Sequence, residues 1–216
     1  PPMHVAYQGV PGAYSEAAAL LLFPSCTPHP CASFPLAFAA LLSRAADLLV
    51  LPVENTTHGT IHLNFDLLLT HSNVTRIVGE LDFRVSHTLA APEGTRLEDV
   101  TEAMSHPVAL GQCVDFLAKH GIKPVTFADT AGAMQHVSET REPGVAAIAS
   151  RHAAAIYGLE VLAEAVEDDP ENYTRFLVIE RYERPSGLIE LMAGVAPGAG
   201  EGVRWKTSVA FCVEPA

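Results

Sequence analysis

Positive charge is scarce in this chain. Lys and Arg number 13 against 25 Asp and Glu in 216 residues, a formal net charge of −12. Nucleic acid and anionic membrane surfaces both require a basic face, so neither is expected as a partner. A small anion can still be held, but only by a local group of Arg, Lys and backbone N–H donors. No stretch approaches the roughly 18 uncharged apolar residues of a membrane span; the most apolar region, 36–53, is broken by Arg44 and Asp47. No basic segment leads into an apolar one at the N-terminus, so no secretory signal is expected. The four cysteines, Cys26, Cys31, Cys113 and Cys212, form no CxxC pair. They read as reduced thiols of a cytoplasmic protein, since a Cys26–Cys31 loop disulfide would need secretion. His58 and His62 stand four apart, as two metal ligands on one helix face would. No Glu lies between them in the metalloprotease arrangement and no third ligand is evident, so no metal is expected. Neither GxGxxG, a phosphate loop nor a Ser–His–Asp order occurs.

What is present is an alternation of strand-like and helix-like segments. With 49% hydrophobic residues the chain can bury a full core, and its length fits two small lobes. Strands are expected at 5–7, 48–51, 74–78, 83–91, 125–127, 145–148 and 177–179, the run 48–51 being continuously apolar as in a strand covered on both faces. Apolar spacing and alanine content predict helices at 16–21, 36–46, 61–69, 97–103, 109–119, 130–138 and 151–157. Ser15 is placed to cap the first and Gly158 to end the last. This pattern implies an α/β fold of mostly parallel sheets covered by helices. Ligands in such folds bind outside the strand C-terminal ends. A Pro- and Gly-rich stretch, 185–205, reads as a linker, and a strand begins at Lys206.

The polar residues gather at those strand ends. Gly9-Val10-Pro11-Gly12-Ala13-Tyr14-Ser15 joins a strand to a helix, where free N–H groups suit an anion; a tight turn with an N-cap serine explains it equally well. In Pro52-Val53-Glu54-Asn55-Thr56-Thr57-His58-Gly59-Thr60, Thr60 can cap the next helix, which leaves Glu54 and Asn55 available for function. Ser105-His106-Pro107 with Gln112-Cys113, and Asp129-Thr130-Ala131, mark two more strand-to-helix turns. His106 reads as structural for want of a nucleophile beside it, and Asp129 or Thr130 as a cap. Last comes Asn172-Tyr173-Thr174-Arg175-Phe176, behind the acidic turn Glu167-Asp168-Asp169-Pro170-Glu171. Neutral amides and hydroxyls of this kind suit a small polar molecule, with catalysis by positioning and electrostatics.

In this order, with Ala147-Ile148-Ala149-Ser150 and Tyr157-Gly158-Leu159, the motifs resemble the prephenate dehydratase family over 5–179. The resemblance implies two α/β lobes like those of a type II periplasmic binding protein, an active site in the cleft between them, and no cofactor. It implies conversion of prephenate to phenylpyruvate with loss of CO₂ and water, a step of phenylalanine biosynthesis. Thr174 would act as acid, Asn55, Ser105 and Gln112 would orient substrate, and Ser15, Thr56 and Glu54 would join them in binding it, Glu54 by shaping the loop. Arg175 is the expected counter-charge for a substrate carboxylate, or else a structural ion pair. The family commonly has Gln where Val108 stands and Ser where Thr56 stands. The expected lobes are 1–79 with 177–184, and 80–176. Residues 206–216 resemble the first strand of an ACT regulatory domain. Phenylalanine would be an effector only with that domain complete, so resistance to it is expected, as is a homodimer or higher homo-oligomer. Two alternatives remain open: an arogenate dehydratase, and a non-catalytic small-molecule binding module.

Overall fold

Two runs of buried apolar residues without alternation become the middle strands of two sheets. The computed structural model describes residues 2–182. The first sheet contains β1 (His4–Gln8), β2 (Thr27–Cys31), β3 (Leu48–Asn55), a short β4 (Gly59–Thr60) and β5 (Thr75–Arg84), connected through α1 (Tyr14–Leu22), α2 (Phe34–Leu42) and α3 (His62–Thr70). The second contains β6 (Thr88–Ala91), β7 (Glu102–Ser105), β8 (Lys123–Thr126), β9 (Val145–Ala149) and β10 (Glu160–Glu164), with α4 (Pro107–Gly111), α5 (Val114–His120), α6 (Thr130–Thr140) and α7 (Arg151–Ile156). The chain then returns to the first sheet as β11 (Tyr173–Arg181). Strand order is β2-β1-β3-β11-β5, with β4 paired to β3, and β10-β6-β9-β7-β8.

Alternate residues of β3 reach opposite layers. Leu49 and Leu51 pack with Phe38 and Leu41 of α2, while Leu48 and Val50 pack with Ala18 and Ala19 of α1. A strand with helices on both faces has no polar side, which is why this run is continuous. The second sheet is sandwiched in the same way, Ile148 facing Leu117 of α5 and Ala147 facing Met134 of α6.

Both sheets are mixed, where mostly parallel ladders were expected. β1 is parallel to β2 and β3, but β11 is antiparallel to β3 and β5. β7 is parallel to β8 and β9, but β6 is antiparallel to β9 and β10. The chain leaves the first sheet at the end of β5 and re-enters at the start of β11, so those two strands must run in opposite senses. β5 stays in the first sheet as far as Arg84 and β11 joins it from Tyr173. The exchange between sheets therefore falls at 85–87 and 165–172 rather than at the expected 79/80 and 176/177.

Other local differences have simple causes. The helix expected at 97–103 is one 3₁₀ turn, Leu97–Asp99, because Thr101 and Glu102 donate their N–H groups to Gly144 O and enter β7. β2 was not expected, since Pro28 and Pro30 cannot donate to a ladder; prolines are tolerated on an edge strand, which is where β2 lies. Ser15 is no cap: α1 already begins at Tyr14, with Ala13 at the N-cap. Thr60 does not cap α3 either, where Ile61 holds that position. The linker expected at 185–205, the regulatory strand expected at 206–216 and Cys212 lie outside the described residues.

Candidate active site

The end of β3 and the start of β11 lie side by side, Thr174 opposite Asn55 and Arg175 opposite Glu54. Successive strand residues point to opposite faces. Thr174 and Phe176 accordingly line a cleft of about 260 Å³ between the sheets, together with Ser15, Asn55, His87 and Gln112. Arg175 turns the other way and its Nη2 lies 2.5 Å from Glu80 Oε2. Of the two readings offered for Arg175, the ion pair is the one observed. Glu54 is exposed beside it and is absent from the cleft wall. A second hollow of about 430 Å³ adjoins the first, lined by Thr57, His58, Asp168, Asp169 and Asn172. Val108 and Gln112 belong to both walls.

Asn55 organises the polar floor. Its Oδ1 accepts from Thr57 N and His58 N, both at 3.0 Å, and from Thr57 Oγ at 2.7 Å. Backbone N–H groups only donate, so the oxygen of this amide is identified and the nitrogen faces β11. There Nδ2 lies 2.9 Å from Thr174 Oγ, 3.0 Å from Asn172 Oδ1 and 3.1 Å from Tyr173 O. Thr174 Oγ can only accept at this contact, where three acceptors share two hydrogens. Its own hydrogen makes no hydrogen bond among the described residues and is left for whatever occupies the cleft. Asn172 Nδ2, buried, has no partner; it cannot exchange places with Oδ1 without setting two donors face to face. Thr56 laces the turn to β11, its hydroxyl accepting from Tyr173 N at 3.0 Å and donating to Glu171 O at 3.2 Å.

Ser105 is not in this group. It is fully buried, and its hydroxyl donates to Ile148 O at 2.5 Å, joining β7 to β9. His106 and Asp129 line the cleft but cap helices, accepting from Val108 N at 3.2 Å and Gly132 N at 2.6 Å. The Gly9-to-Ser15 loop is first of all a contact between lobes. Ser150 Oγ donates to Gly12 O at 2.9 Å, Tyr157 OH donates to Pro11 O at 2.7 Å, and Gly12 N donates to buried Glu16 Oε2 at 2.6 Å. His152 Nε2 lies 3.3 Å from the same carboxylate. This docking carries Tyr14 and Ser15 into the cleft wall.

Two cleft residues were missed from the sequence. His87 is 2% exposed; its Nε2 lies 2.8 Å from Gln112 Oε1 and its Nδ1 lies 2.7 Å from Tyr14 OH. The one available signal was a histidine interrupting an apolar stretch, 83–91, that reads as strand. Burial lowers its pKa, partly opposed by Gln112 and the charge of Glu167. Tyr14, the other, has its phenol pushed up, chiefly by burial. Burial, then Asp168 and Glu167, push the Cys113 thiol up to about 12, so it is no nucleophile at neutral pH. Among the described residues no His, Cys, Asp and Glu group is arranged to hold a metal ion.

Relatives share both sequence and architecture. Arogenate dehydratase 1 of Petunia hybrida is 44% identical over 223 residues, an alignment covering 97% of this chain and 51% of that protein. The chain spans about half the length of the curated relatives it matches. Among solved structures, a protein described as a novel type of quorum-quenching acylase superposes with a TM-score of 0.76 at 38% identity, covering 85% of this chain and 65% of that one. Prephenate dehydratase from Arthrobacter aurescens, solved with L-Phe, gives 0.76 at 28% identity, covering 83% and 60%. The prephenate dehydratase family model matches residues 5–184, which takes in both sheets, the returning strand and every residue of the cleft, and the chain belongs to that family.

Proposed function

We propose that this chain converts prephenate to phenylpyruvate, CO₂ and water. The observation that carries the reading is Thr174 Oγ in the cleft wall, held as an acceptor by Asn55 so that its proton is free. In the reaction the bond between ring and carboxylate breaks, its electrons enter the ring, and the C4 hydroxyl departs as aromaticity is gained. The leaving oxygen needs a proton donor at that moment. A threonine hydroxyl is too weak an acid to remain as alkoxide, so Thr174 acts as a preorganised donor and solvent supplies the net proton. A donor of this kind contributes about 10²–10³ in rate. Asn55 and Gln112 orient the substrate, and Ser15 adds a hydroxyl to the wall. Ser105, buried at the end of β7 and bonded to β9, acts on their placement rather than on the substrate.

Turnover is followed as phenylpyruvate formation at neutral pH. Thr174→Ala should lower kcat at least tenfold with an unchanged circular dichroism spectrum; wild-type turnover in that variant would remove the residue from the mechanism. Absence of turnover with prephenate and arogenate alike would sink the reading and favour a binding module.

Arogenate, which carries an ammonium where prephenate has a keto oxygen, is the second reading. Asp129 in the cleft wall and Asp168 and Asp169 in the adjoining hollow favour it, because acidic groups attract an ammonium. The ratio of kcat/KM for the two substrates decides. Free thiols at Cys26, Cys31 and Cys113 support the reducing, cytoplasmic setting expected from the sequence. Exposed Leu63, Phe65 and Leu69 on α3 support a homo-oligomer.

A further inference from the structure

Tyr14, His87, Gln112 and Thr57 make a line of hydrogen bonds that ends on Asn55, and one fixed point sets its direction from Asn55 back to His87 Nε2. Asn55 Oδ1 is identified by the two backbone N–H groups that donate to it. Thr57 Oγ, 2.7 Å from that oxygen, must give it its proton. With the proton committed, Thr57 Oγ can only accept from Gln112, so the Gln112 atom facing it is Nε2. Gln112 Oε1 then faces His87 Nε2 at 2.8 Å. An acceptor at that distance requires His87 Nε2 to carry a hydrogen. Burial disfavours the imidazolium, so Nδ1 is left bare, and the single Tyr14 hydroxyl hydrogen is shared between Nδ1 at 2.7 Å and Ser86 O at 2.9 Å.

We propose that His87 is a positioning residue for Thr174. Its Nε2–H tautomer begins a one-way run of hydrogen bonds through Gln112, Thr57 and Asn55, and the run keeps the Thr174 proton turned toward the cleft. His87 touches neither Thr174 nor Asn55; it acts through the amide orientation of Gln112. With the run reversed, Thr57 would accept where it must donate, and Asn55 would lose one of its fixing contacts. Hydrogen bonds aligned in one sense polarise one another, so the effect is felt at the far end. What the freed proton does rests on the dehydratase reading; the direction of the run rests on geometry alone.

Nitrogen NMR of the wild-type chain, labelled at histidine and assigned through the His87 backbone amide, reads the tautomer directly. A neutral ring protonated at Nε2 at pH 7 is expected. Thr57 is exposed, so Thr57→Val tests the middle of the run without threatening the core. In that variant the His87 nitrogen signals should shift although the two side chains do not touch. Its kcat should fall roughly three- to tenfold at little-changed KM, the effect of one hydrogen bond, and Thr57→Ser should restore it. An Nδ1-protonated His87 overturns the proposal, as does a Thr57→Val variant with wild-type signals and kcat. If wild type turns over neither prephenate nor arogenate, the dehydratase reading fails, while the nitrogen spectra still decide the direction of the bonds.

Discussion

Asn55 holds more of the site in place than Thr174 does. Its carbonyl ties the turn after β3, and its amide nitrogen reaches three acceptors with two hydrogens. Asn55→Asp is nearly isosteric but puts an acceptor against Thr174 Oγ, Asn172 Oδ1 and Tyr173 O. Thr174 would then spend its hydrogen inside the protein. Asn55→Asp should therefore be at least as damaging as Asn55→Ala, with kcat down about 10² or more, the scale of a lost transition-state donor. Steady-state kinetics beside thermal melts separate this from unfolding; an Asn55→Asp variant much more active than Asn55→Ala would refute the donor role. Asn55 was legible in the sequence because capping does not explain an amide at that strand end, whereas the roles of Gln112, at the end of α4, and Thr174 came through the family resemblance. Arg175 and Ser105 were not legible. Strand alternation turns Arg175 to Glu80, and a serine at the end of a buried strand spends its hydroxyl on the neighbouring strand.

At the level of elements, the sequence was clearest where burial leaves no ambiguity. β3 and β9 are covered on both faces, and their unbroken apolar runs say so. Edge strands carry weaker patterns. β2 has two prolines and β10 alternates poorly, and each lies at the rim of its sheet. The acidic turn ahead of Thr174 was legible as a turn, but its task is set by tertiary contact. Asp168 accepts from Val114 N at 2.9 Å and Asp115 N at 3.1 Å, capping α5 from 53 or more residues away in sequence. Cys113, at the N-cap position itself, makes no such bond. Asp168→Ala should cost about 1 kcal/mol of stability, the usual loss of a helix cap. Denaturant titration measures it, and an unchanged midpoint would mean that water replaces the carboxylate without loss.

The described residues form two sheets joined by two crossings and by one docked loop, with the cleft between. The crossings bring His87 and Asn172 to the site; the docked loop brings Tyr14 and Ser15. Catalysis by positioning needs the lobes in one relation, since Thr174 and Asn55 belong to the first sheet while Gln112 stands at the end of α4 in the second. Gly12 is where that relation is most exposed to test. Its φ is +92°, and a Cβ there would fall 2.9 Å from Ala153 Cα and Cβ, so α7 itself would have to shift. Gly12→Ala combines a left-handed backbone strain with overpacking, together about 2–4 kcal/mol. Each sheet keeps its own core, so the far-UV spectrum should survive at moderate temperature while the midpoint of unfolding falls. Turnover should drop more than tenfold, because the Gln112 and Thr174 halves of the cleft no longer meet in register. Wild-type kcat with only a lowered midpoint would show that the loop stabilises the protein without aligning the lobes.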